Sequence, residues 1–182
     1  TGRFLVFSDI PNDECLRVTE EDMHVHRRFR SPAGFSNGNT FDAQGRQISC
    51  EHLTARVVRY EYQGEPTILA ESFEGKRLNA PNDAVVHPGT GGILFTDPGY
   101  GSHFYYEGTV RELELPTSVY HLDPQTKRLT RLTDEIMKPN GLCFSPDYRI
   151  LYVADTAPTH YPNEKAKLIA WDVQDNGRRL TN

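Results

Sequence analysis

A short polar step recurs in this chain where apolar runs begin. Pro81-Asn82-Asp83 opens one run and Pro139-Asn140-Gly141 opens another, and each is followed by a turn and a second apolar run. The second run ends in an aspartate, Asp97 or Asp155, 15 positions after the asparagine in both copies. Repetition at a fixed interval predicts one supersecondary unit that is used several times.

Acidic residues at the ends of apolar runs extend the repeat. A looser copy runs from Asn37-Gly38-Asn39 to Glu51, and Ser8-Asp9 ends the earlier run Phe4–Phe7. The four acidic ends are 42, 46 and 58 residues apart. Four strands in about 40–45 residues is the period of a β-propeller blade. The sequence therefore predicts an all-β fold, a β-propeller with roughly four blades in this chain.

The local sequence pattern predicts strands and turns rather than helices. Apolar runs rich in Val, Ile, Phe and Tyr are separated by Gly, Pro, Asn and Asp, which is typical of short strands joined by turns. The runs are Phe4–Phe7, Val25–Phe29, Gln47–Cys50, Val57–Tyr62, Thr67–Ala70, Ala84–Val86, Ile93–Thr96, Ser118–Leu122, Leu129–Leu132, Leu142–Phe144, Leu151–Ala154 and Leu168–Val173. The chain enters at a second strand and stops within a hairpin, so we expect one domain, a partial propeller over 1–182. It would lack the N-terminal first strand and the C-terminal blades, which a missing segment or a second chain would supply.

Composition excludes several classes of protein. The net charge is −5 and the pI about 5.8, without a basic stripe, so nucleic acid is not expected as a partner. No apolar run approaches the roughly 18 residues of a membrane span. Three cysteines are too few for a disulfide framework, and Cys50 and Cys143, which lie in apolar runs, are expected to be buried thiols. The start of the chain lacks signal-peptide features yet looks trimmed, so a cytoplasmic location is expected and a periplasmic or secreted one stays open.

Propeller geometry gathers the repeated polar residues. The first strand of each blade lines the central channel, and Asn39, Asn82 and Asn140 each begin such a strand. The second strand runs antiparallel, so its acidic end returns beside that start. A ring of amide and carboxylate oxygens at one mouth of the channel is therefore predicted, and such ligands suit Ca²⁺ or Mg²⁺. An asparagine after proline also stabilises turns, and this structural alternative stays open.

Two further segments have a functional and a structural interpretation. The insertion 98–117 contains Gly99, Gly101 and four aromatic residues, and it is either a lid over the site or a surface loop. The segment Gly34-Phe35-Ser36-Asn37-Gly38 matches the nucleophile elbow of serine hydrolases. That elbow needs a helix after the serine, and here a second strand follows, so we reject this interpretation.

Five segments together resemble the gluconolactonase branch of the SMP-30/gluconolactonase/LRE-like family, and the resemblance covers nearly the whole chain. They are Phe4–Pro11, Asn37–Cys50 with Glu51-His52, Lys76–Asp83, Ile93–Tyr100 and Lys138–Asp155. The resemblance implies a six-bladed propeller that holds one divalent metal, usually Ca²⁺ (with Mg²⁺, Zn²⁺ and Mn²⁺ as alternatives). It also implies hydrolysis of sugar-acid lactones such as gluconolactone.

The resemblance assigns candidate site residues. Asn82 and Asn140 match the two asparagine metal ligands of the family, whereas its glutamate and aspartate ligands would lie outside residues 1–182. Asp97 and His52 are the candidates for catalysis. The candidates for substrate binding are Glu51, Asn82, Asp83, Arg77 and Tyr100.

Two alternative functions remain. Related propellers hydrolyse phosphotriesters or aryl esters, and fold does not fix substrate. A non-catalytic propeller that binds calcium or a partner protein is the other alternative.

Overall fold

The structure is a computed structural model that describes residues 4–21 and 25–181, with side chains throughout except at 25–28. The first sheet contains β1 (Phe4–Asp9), β2 (Glu14–Thr19) and β3 (Val25–Arg30). The second contains β4 (Ser36–Phe41), β5 (Gln47–Glu51), β6 (Arg56–Arg59) and β7 (Thr67–Ala70). A small hairpin follows, formed by β8 (Ser72–Phe73) and β9 (Lys76–Arg77).

Two further sheets complete the described fold. The third contains β10 (Ala84–Val86), β11 (Ile93–Asp97), β12 (Ser118–Leu122) and β13 (Leu129–Thr133). The fourth contains β14 (Pro139–Phe144), β15 (Ile150–Asp155), β16 (Lys167–Gln174) and β17 (Arg179–Thr181). Single 3₁₀ turns span Tyr100–Ser102, Ala157–Thr159 and Asp175–Gly177.

The four large sheets are successive propeller blades. Each is antiparallel, and strands that are neighbours in sequence are neighbours in the sheet. The first strands β4, β10 and β14 lie next to one another, and β11 packs against the following β14 as β1 packs against β4. The predicted all-β propeller with four repeated units is confirmed.

A repeated side-chain contact identifies the role of β1. Ser8 on β1 donates its hydroxyl hydrogen to the backbone oxygen of Asn37 at 2.7 Å, and Thr96 on β11 donates to that of Asn140 at 2.8 Å. Each contact joins one blade to the next. Because β11 is the second strand of its blade, β1 makes the contact that a second strand makes in the third sheet.

Alternation along the third sheet divides its side chains between two cores. Ile93 and Phe95 face a cluster shared with the second sheet, whereas Leu94 faces a cluster shared with the fourth. On β12, Tyr120 faces the first cluster and Val119 the second. Successive residues of a strand point to opposite faces, so a blade packed on both faces has continuous apolar strands.

In hairpin turns at the end of the blades opposite to the predicted channel mouth, an aspartate side chain accepts backbone hydrogen bonds. Asp42 Oδ1 accepts hydrogen bonds from the backbone of Gln44 and Arg46, at 3.0 and 2.9 Å. Asp147 accepts a backbone hydrogen bond in the corresponding β14–β15 turn, and Asp123 accepts one in the β12–β13 turn at the same end of the third sheet. Such Asx turns fix the loops between paired strands and set the register at the channel end.

One prediction about the cysteines is wrong. Cys15 and Cys50 are buried, but Cys143 is exposed. Cys143 follows the buried Leu142 on β14, so strand alternation turns its side chain to the opposite face. Separately, none of the helical turns in the described ranges has the length and apolarity that crossing a bilayer requires.

Candidate active site at the channel mouth

The starts of first strands and the ends of second strands meet at one end of the blades. Pro139 pairs with Asp155, and Ser36 pairs with Glu51. In the third sheet the backbone N–H of Asn82 donates to Thr96 O at 2.8 Å. The predicted meeting of asparagine and acidic positions at one mouth is therefore present in the backbone.

The carboxylates at these strand ends do not open onto the channel, so the predicted ring of carboxylate oxygens is wrong. Asp97 is fully buried, and Asp155 and Glu51 are nearly so. Asp155 Oδ1 accepts the backbone N–H groups of Lys138 and Ala157, both at 3.0 Å. A chain that enters a strand carries backbone donors that need acceptors, and Asp155 and Asp97 supply them.

Asp97 holds the segment that leads into Asn82. Its Oδ2 accepts from Asn79 N at 2.8 Å and its Oδ1 from Ala80 N at 2.7 Å. Burial raises the pKa of Asp97 to about 6, while the two backbone hydrogen bonds act in the opposite direction. Both oxygens are therefore engaged by the protein itself, and the catalytic role predicted for this residue stays a prediction.

Asn140 lies on β14, whereas Asn82 lies two residues before β10 and does not begin the strand as predicted; the two are connected through Thr96. The Thr96 hydroxyl accepts the backbone N–H of Asp83 at 3.1 Å and donates to Asn140 O at 2.8 Å. Asn140 Nδ2 donates to Thr156 Oγ1 at 3.2 Å, which leaves Asn140 Oδ1 without a partner among the described residues. Asn82 is 2% exposed, yet its side-chain amide makes no hydrogen bond within the described part of the chain.

Asp83 lies between three first strands. Its Oδ1 accepts the N–H of Ala84 at 2.9 Å, and its Oδ2 accepts that of Leu142 on the next blade at 3.2 Å. On the other side Gly38 donates its N–H to Asn82 O at 2.7 Å. A Cβ atom at Gly38 would overlap Asp83 Oδ1 and lie 2.6 Å from Asp83 Cα. Burial raises the pKa of Asp83.

The structure aligns Asn37, rather than Asn39, with Asn140. Both Asn37 and Asn140 precede a glycine and accept a hydroxyl from the preceding blade through their backbone oxygen. Asn39 instead uses its amide inside the blade, where Oδ1 accepts from Gln47 and Ser49, both at 2.8 Å. The sequence-based alignment of Asn39 with the other two is therefore wrong, because Ser36 pairs with Glu51 as Pro139 pairs with Asp155, which puts Asn37 in register with Asn140.

His52 is a buried, neutral imidazole next to Asn37. Its Nδ1 is 3.0 Å from Glu107 O, an acceptor, so Nδ1 carries the proton. Its Nε2 therefore has a lone pair, which faces Asn37 Nδ2 at 3.4 Å. Burial lowers the pKa of His52 to about 4. The side chain can accept a proton, and its predicted catalytic role stays a prediction.

The insertion 98–117 is anchored over this histidine. Arg111 Nη2 donates to His52 O at 3.2 Å and to Asn79 O at 2.9 Å. Gly101 packs so closely on the His52 ring that a Cβ atom there would lie 2.5 Å from His52 Cγ. At the other side of the insertion, the Tyr100 hydroxyl hydrogen-bonds Thr156 Oγ1. These contacts attach the insertion to the blades next to His52, and its role as a lid stays a prediction.

Two of the predicted substrate-binding residues make contacts away from Asn82 and Asn140. Glu51 accepts from Tyr60, Thr54 and Arg56, each at 2.8 Å. Arg77 is exposed on β9 and donates to Leu53 O at 3.3 Å. No described contact joins either residue to the two asparagines, and their substrate-binding role stays a prediction.

Sequence reasoning missed three residues beside Asn140. Lys138 is 2% exposed, and its Nζ donates to Pro98 O at 2.9 Å and to His103 Nε2 at 3.0 Å. The His103 ring lies 4.8 Å from that of His160, centroid to centroid. Lys138 directly precedes the repeated Pro-Asn step, which could have marked it. The two histidines lie in loops, where no periodic pattern identifies a site.

The side chains at the mouth fit part of a hard-cation site. Asn82 and Asn140 present amide oxygens that no described side chain or backbone group engages, and oxygen ligands suit Ca²⁺ or Mg²⁺. Within 4–21 and 25–181, no group of three or more His, Cys, Asp or Glu residues is arranged to hold a metal. The described residues therefore supply neutral ligands without the carboxylates that such a cation usually requires.

Curated proteins that are similar to this chain are named gluconolactonase or lactonohydrolase. The chain is 28% identical over 169 residues to the gluconolactonase of Zymomonas mobilis, covering 85% of this chain and 46% of that protein. It is 31% identical over 125 residues to a lactonohydrolase of Aspergillus oryzae, covering 64% of this chain and 27% of that protein. The chain thus spans less than half of these curated relatives.

A solved gluconolactonase structure and a family model are also similar to this chain. The gluconolactonase XC5397 of Xanthomonas campestris superposes with a TM-score of 0.88 at 36% identity, over 100% of this chain and 57% of that one. A family model described as the SMP-30/Gluconolactonase/LRE-like region matches residues 1–182. The chain therefore belongs to the SMP-30/gluconolactonase/LRE-like family.

Proposed function

We propose that the protein hydrolyses a sugar-acid lactone, such as gluconolactone, at the channel mouth with a bound divalent cation, Ca²⁺. The observation that carries the proposal is the pair of free amide oxygens at Asn82, just before β10, and at Asn140 on the neighbouring first strand β14. Relatives named gluconolactonase and lactonohydrolase support the reaction class. The carboxylate ligands of the cation would come from outside residues 1–182.

Asn82 and Asn140 would hold the cation through Oδ1. A bound divalent cation would supply Lewis-acid polarisation of the lactone carbonyl and stabilise the oxyanion. The orientation of Asn140 supports this role, because its Nδ2 donates to Thr156 and its oxygen is left free. The Asn82 amide has no hydrogen-bond partner among the described residues and is not one of the fully buried unpaired groups, so a ligand can reach it.

His52 would accept a proton at Nε2 during attack by water. Its protonated Nδ1 is held by Glu107 O, which fixes the tautomer in which Nε2 carries the lone pair. A base that is neutral at pH 7 is ready to accept a proton. The low pKa makes it a weak base, so a carboxylate supplied from outside the described residues would be the stronger candidate.

Asp97 and Asp83 would position the ligands rather than react. Asp97 holds the backbone of Asn79 and Ala80, three and two residues before Asn82. Asp83 connects the strand of Asn82 to that of Asn140 through Leu142 N. Tyr100, which closes over the mouth through Thr156, would contact the substrate, as would Asp83 at its channel edge.

Two measurements on the full-length protein test the proposal. A pH-stat assay with gluconolactone, with and without EDTA, measures lactone hydrolysis and its metal dependence. Calorimetric titration with Ca²⁺ compares the wild type with Asn140→Ala and Asn82→Ala. We expect EDTA-sensitive hydrolysis, and at least about a tenfold loss of Ca²⁺ affinity in each variant, because each removes one ligand.

The control variant is Gln125→Ala, which removes an exposed amide at the far end of the third blade and should leave both readouts unchanged. Hydrolysis that resists EDTA, or unchanged Ca²⁺ affinity in both asparagine variants, would refute the metal site. Turnover of paraoxon in preference to lactone would favour an aryl esterase or phosphotriesterase. Calcium binding without any hydrolysis would favour the non-catalytic propeller.

A further inference from the structure

A buried lysine fixes the tautomer of His103. Lys138 Nζ is 3.0 Å from His103 Nε2 and 2.9 Å from Pro98 O, and it lies 5.2 Å from the centroid of the Tyr100 ring. An ammonium group has only donors. The His103 Nε2 must therefore accept, and the proton of this neutral imidazole is on Nδ1.

A threonine fixes the same Nδ1-protonated tautomer at His160 but leaves the other ring nitrogen free. The Thr159 hydroxyl donates its one hydrogen to Thr156 O at 2.8 Å. The same oxygen is 2.8 Å from His160 Nδ1, so Nδ1 must be the donor of that hydrogen bond. The His160 Nε2 is then left with a lone pair.

His103 and His160, the histidine pair, therefore present one donor and one acceptor side by side. Their ring centroids are 4.8 Å apart and the planes are inclined by 40°. Both residues are partly exposed, and neither His103 Nδ1 nor His160 Nε2 has a hydrogen-bond partner within 4–21 and 25–181. Burial, with the nearby Lys138 charge, lowers the pKa of both imidazoles, which keeps them neutral near pH 7.

The histidine pair lies on the rim next to the proposed metal ligand Asn140. The Tyr100 ring is 5.1 Å from that of His160, and the Tyr100 hydroxyl hydrogen-bonds Thr156, which accepts from Asn140 Nδ2. One continuous set of contacts therefore joins Asn140 to the pair. A ligand whose carbonyl is near Asn140 would extend its remaining atoms over these rings.

We propose that His103 and His160 form a subsite for the hydroxyl groups of a sugar ring, with His103 Nδ1 donating to one hydroxyl and His160 Nε2 accepting from a hydroxyl. A neutral donor beside a neutral acceptor matches a hydroxyl, which both accepts and donates. A carboxylate or phosphate would need two donors. The subsite rests on the proposed lactone hydrolysis for the identity of its ligand.

The test is a binding measurement with D-gluconolactam, which has the hydroxyl groups of the sugar lactone and an amide in place of the ester. Its dissociation constant is measured by calorimetry in the full-length wild type, His103→Phe and His160→Phe. Phenylalanine keeps a ring and removes the hydrogen bonds. We expect the dissociation constant to rise about tenfold in each variant, since one hydrogen bond is worth about that factor.

His87→Phe is the matched control, because His87 follows β10 at the end opposite to the mouth. The lactam dissociation constant of this variant should equal that of the wild type. The His160→Phe variant guards against misfolding, since its imidazole contacts only an exposed loop threonine by hydrogen bond. Equal lactam affinity in the wild type and both mouth variants, or no lactam binding at all, would overturn the subsite. Hydrolysis of gluconolactone with unchanged lactam affinity would overturn the subsite alone, and weakened lactam binding without hydrolysis would overturn the proposed reaction alone.

Discussion

The hydroxyl of Thr96 lies 2.8 Å from the backbone oxygen of Asn140 and joins the third blade to the fourth, next to the candidate ligands Asn82 and Asn140. The same hydroxyl accepts the N–H of Asp83, next to Asn82. One buried side chain therefore sets the relative position of both asparagines.

Replacing Thr96 by valine should disturb the asparagine pair. The change keeps the side-chain shape but removes both hydrogen bonds, so we expect unfolding to become easier by about 1–3 kcal/mol and Ca²⁺ affinity to fall. Urea unfolding and calorimetric titration measure the two effects. Ser8→Ala is the control, because Ser8 makes the equivalent contact one blade earlier and should cost stability without changing Ca²⁺ affinity. Equal Ca²⁺ affinity in both variants would contradict the proposed coupling.

Gly38 has no room for a side chain. In Gly38→Ala the added methyl group would lie 2.6 Å from Asp83 Cα and 2.7 Å from Asn82 O, so the first strands must separate, at a cost of about 1–3 kcal/mol. Thermal unfolding compares it with Gly89→Ala, where the nearest side-chain atom is 3.4 Å away. Equal midpoints for the two variants would show that the blades tolerate the methyl group.

Asp97 and Asp155 should respond differently to the same substitution. Asp97 uses both oxygens to accept N–H groups, so Asp97→Asn turns an amide donor toward one of them, and we expect a loss of about 1–3 kcal/mol above pH 6. Asp155 accepts both of its N–H groups with Oδ1 alone, and Asp155→Asn can keep that oxygen. Urea unfolding at pH 7.5 should therefore show a larger loss of stability for Asp97→Asn than for Asp155→Asn. A larger loss for Asp155→Asn would refute the positioning role of Asp97.

His52 should make stability depend on pH. Its pKa falls from 6.5 to about 4 on folding, so the unfolded state binds the proton first. The contribution is complete above pH 6.5 and is lost as pH falls toward 4, by about 3 kcal/mol in total. The difference in unfolding free energy between wild type and His52→Gln, measured in urea from pH 4 to 7.5, should shrink by that amount at the acid end. A difference that stays constant with pH would show that this imidazole is not buried in its neutral form.

Much of the fold follows from the sequence because buried strands leave continuous apolar runs. Ser118–Leu122 was predicted with the bounds of β12, since all five residues are buried. Glu14–Thr19 was missed, because polar residues interrupt its apolar run and only one of its six side chains is buried. The start of β14 was predicted at Asn140, one residue after the observed start at Pro139.

The candidate site was predictable only as far as the repeat reaches. The matched interval brought Asn82 and Asn140 to one mouth. It could not reveal that Asp97 turns toward the backbone, because the donors it accepts belong to the preceding loop. The contact of Lys138 with His103 depends on how the insertion folds back across the blades, and no local pattern encodes such a contact.

The attachment of the insertion has a consequence for substitutions at position 52. Arg111 donates hydrogen bonds to the main-chain oxygens of His52 and Asn79. Every amino acid has such an oxygen. A substitution at position 52 therefore keeps both hydrogen bonds from Arg111 and loses the one from His52 Nδ1 to Glu107 O, so the insertion stays attached when the imidazole is replaced.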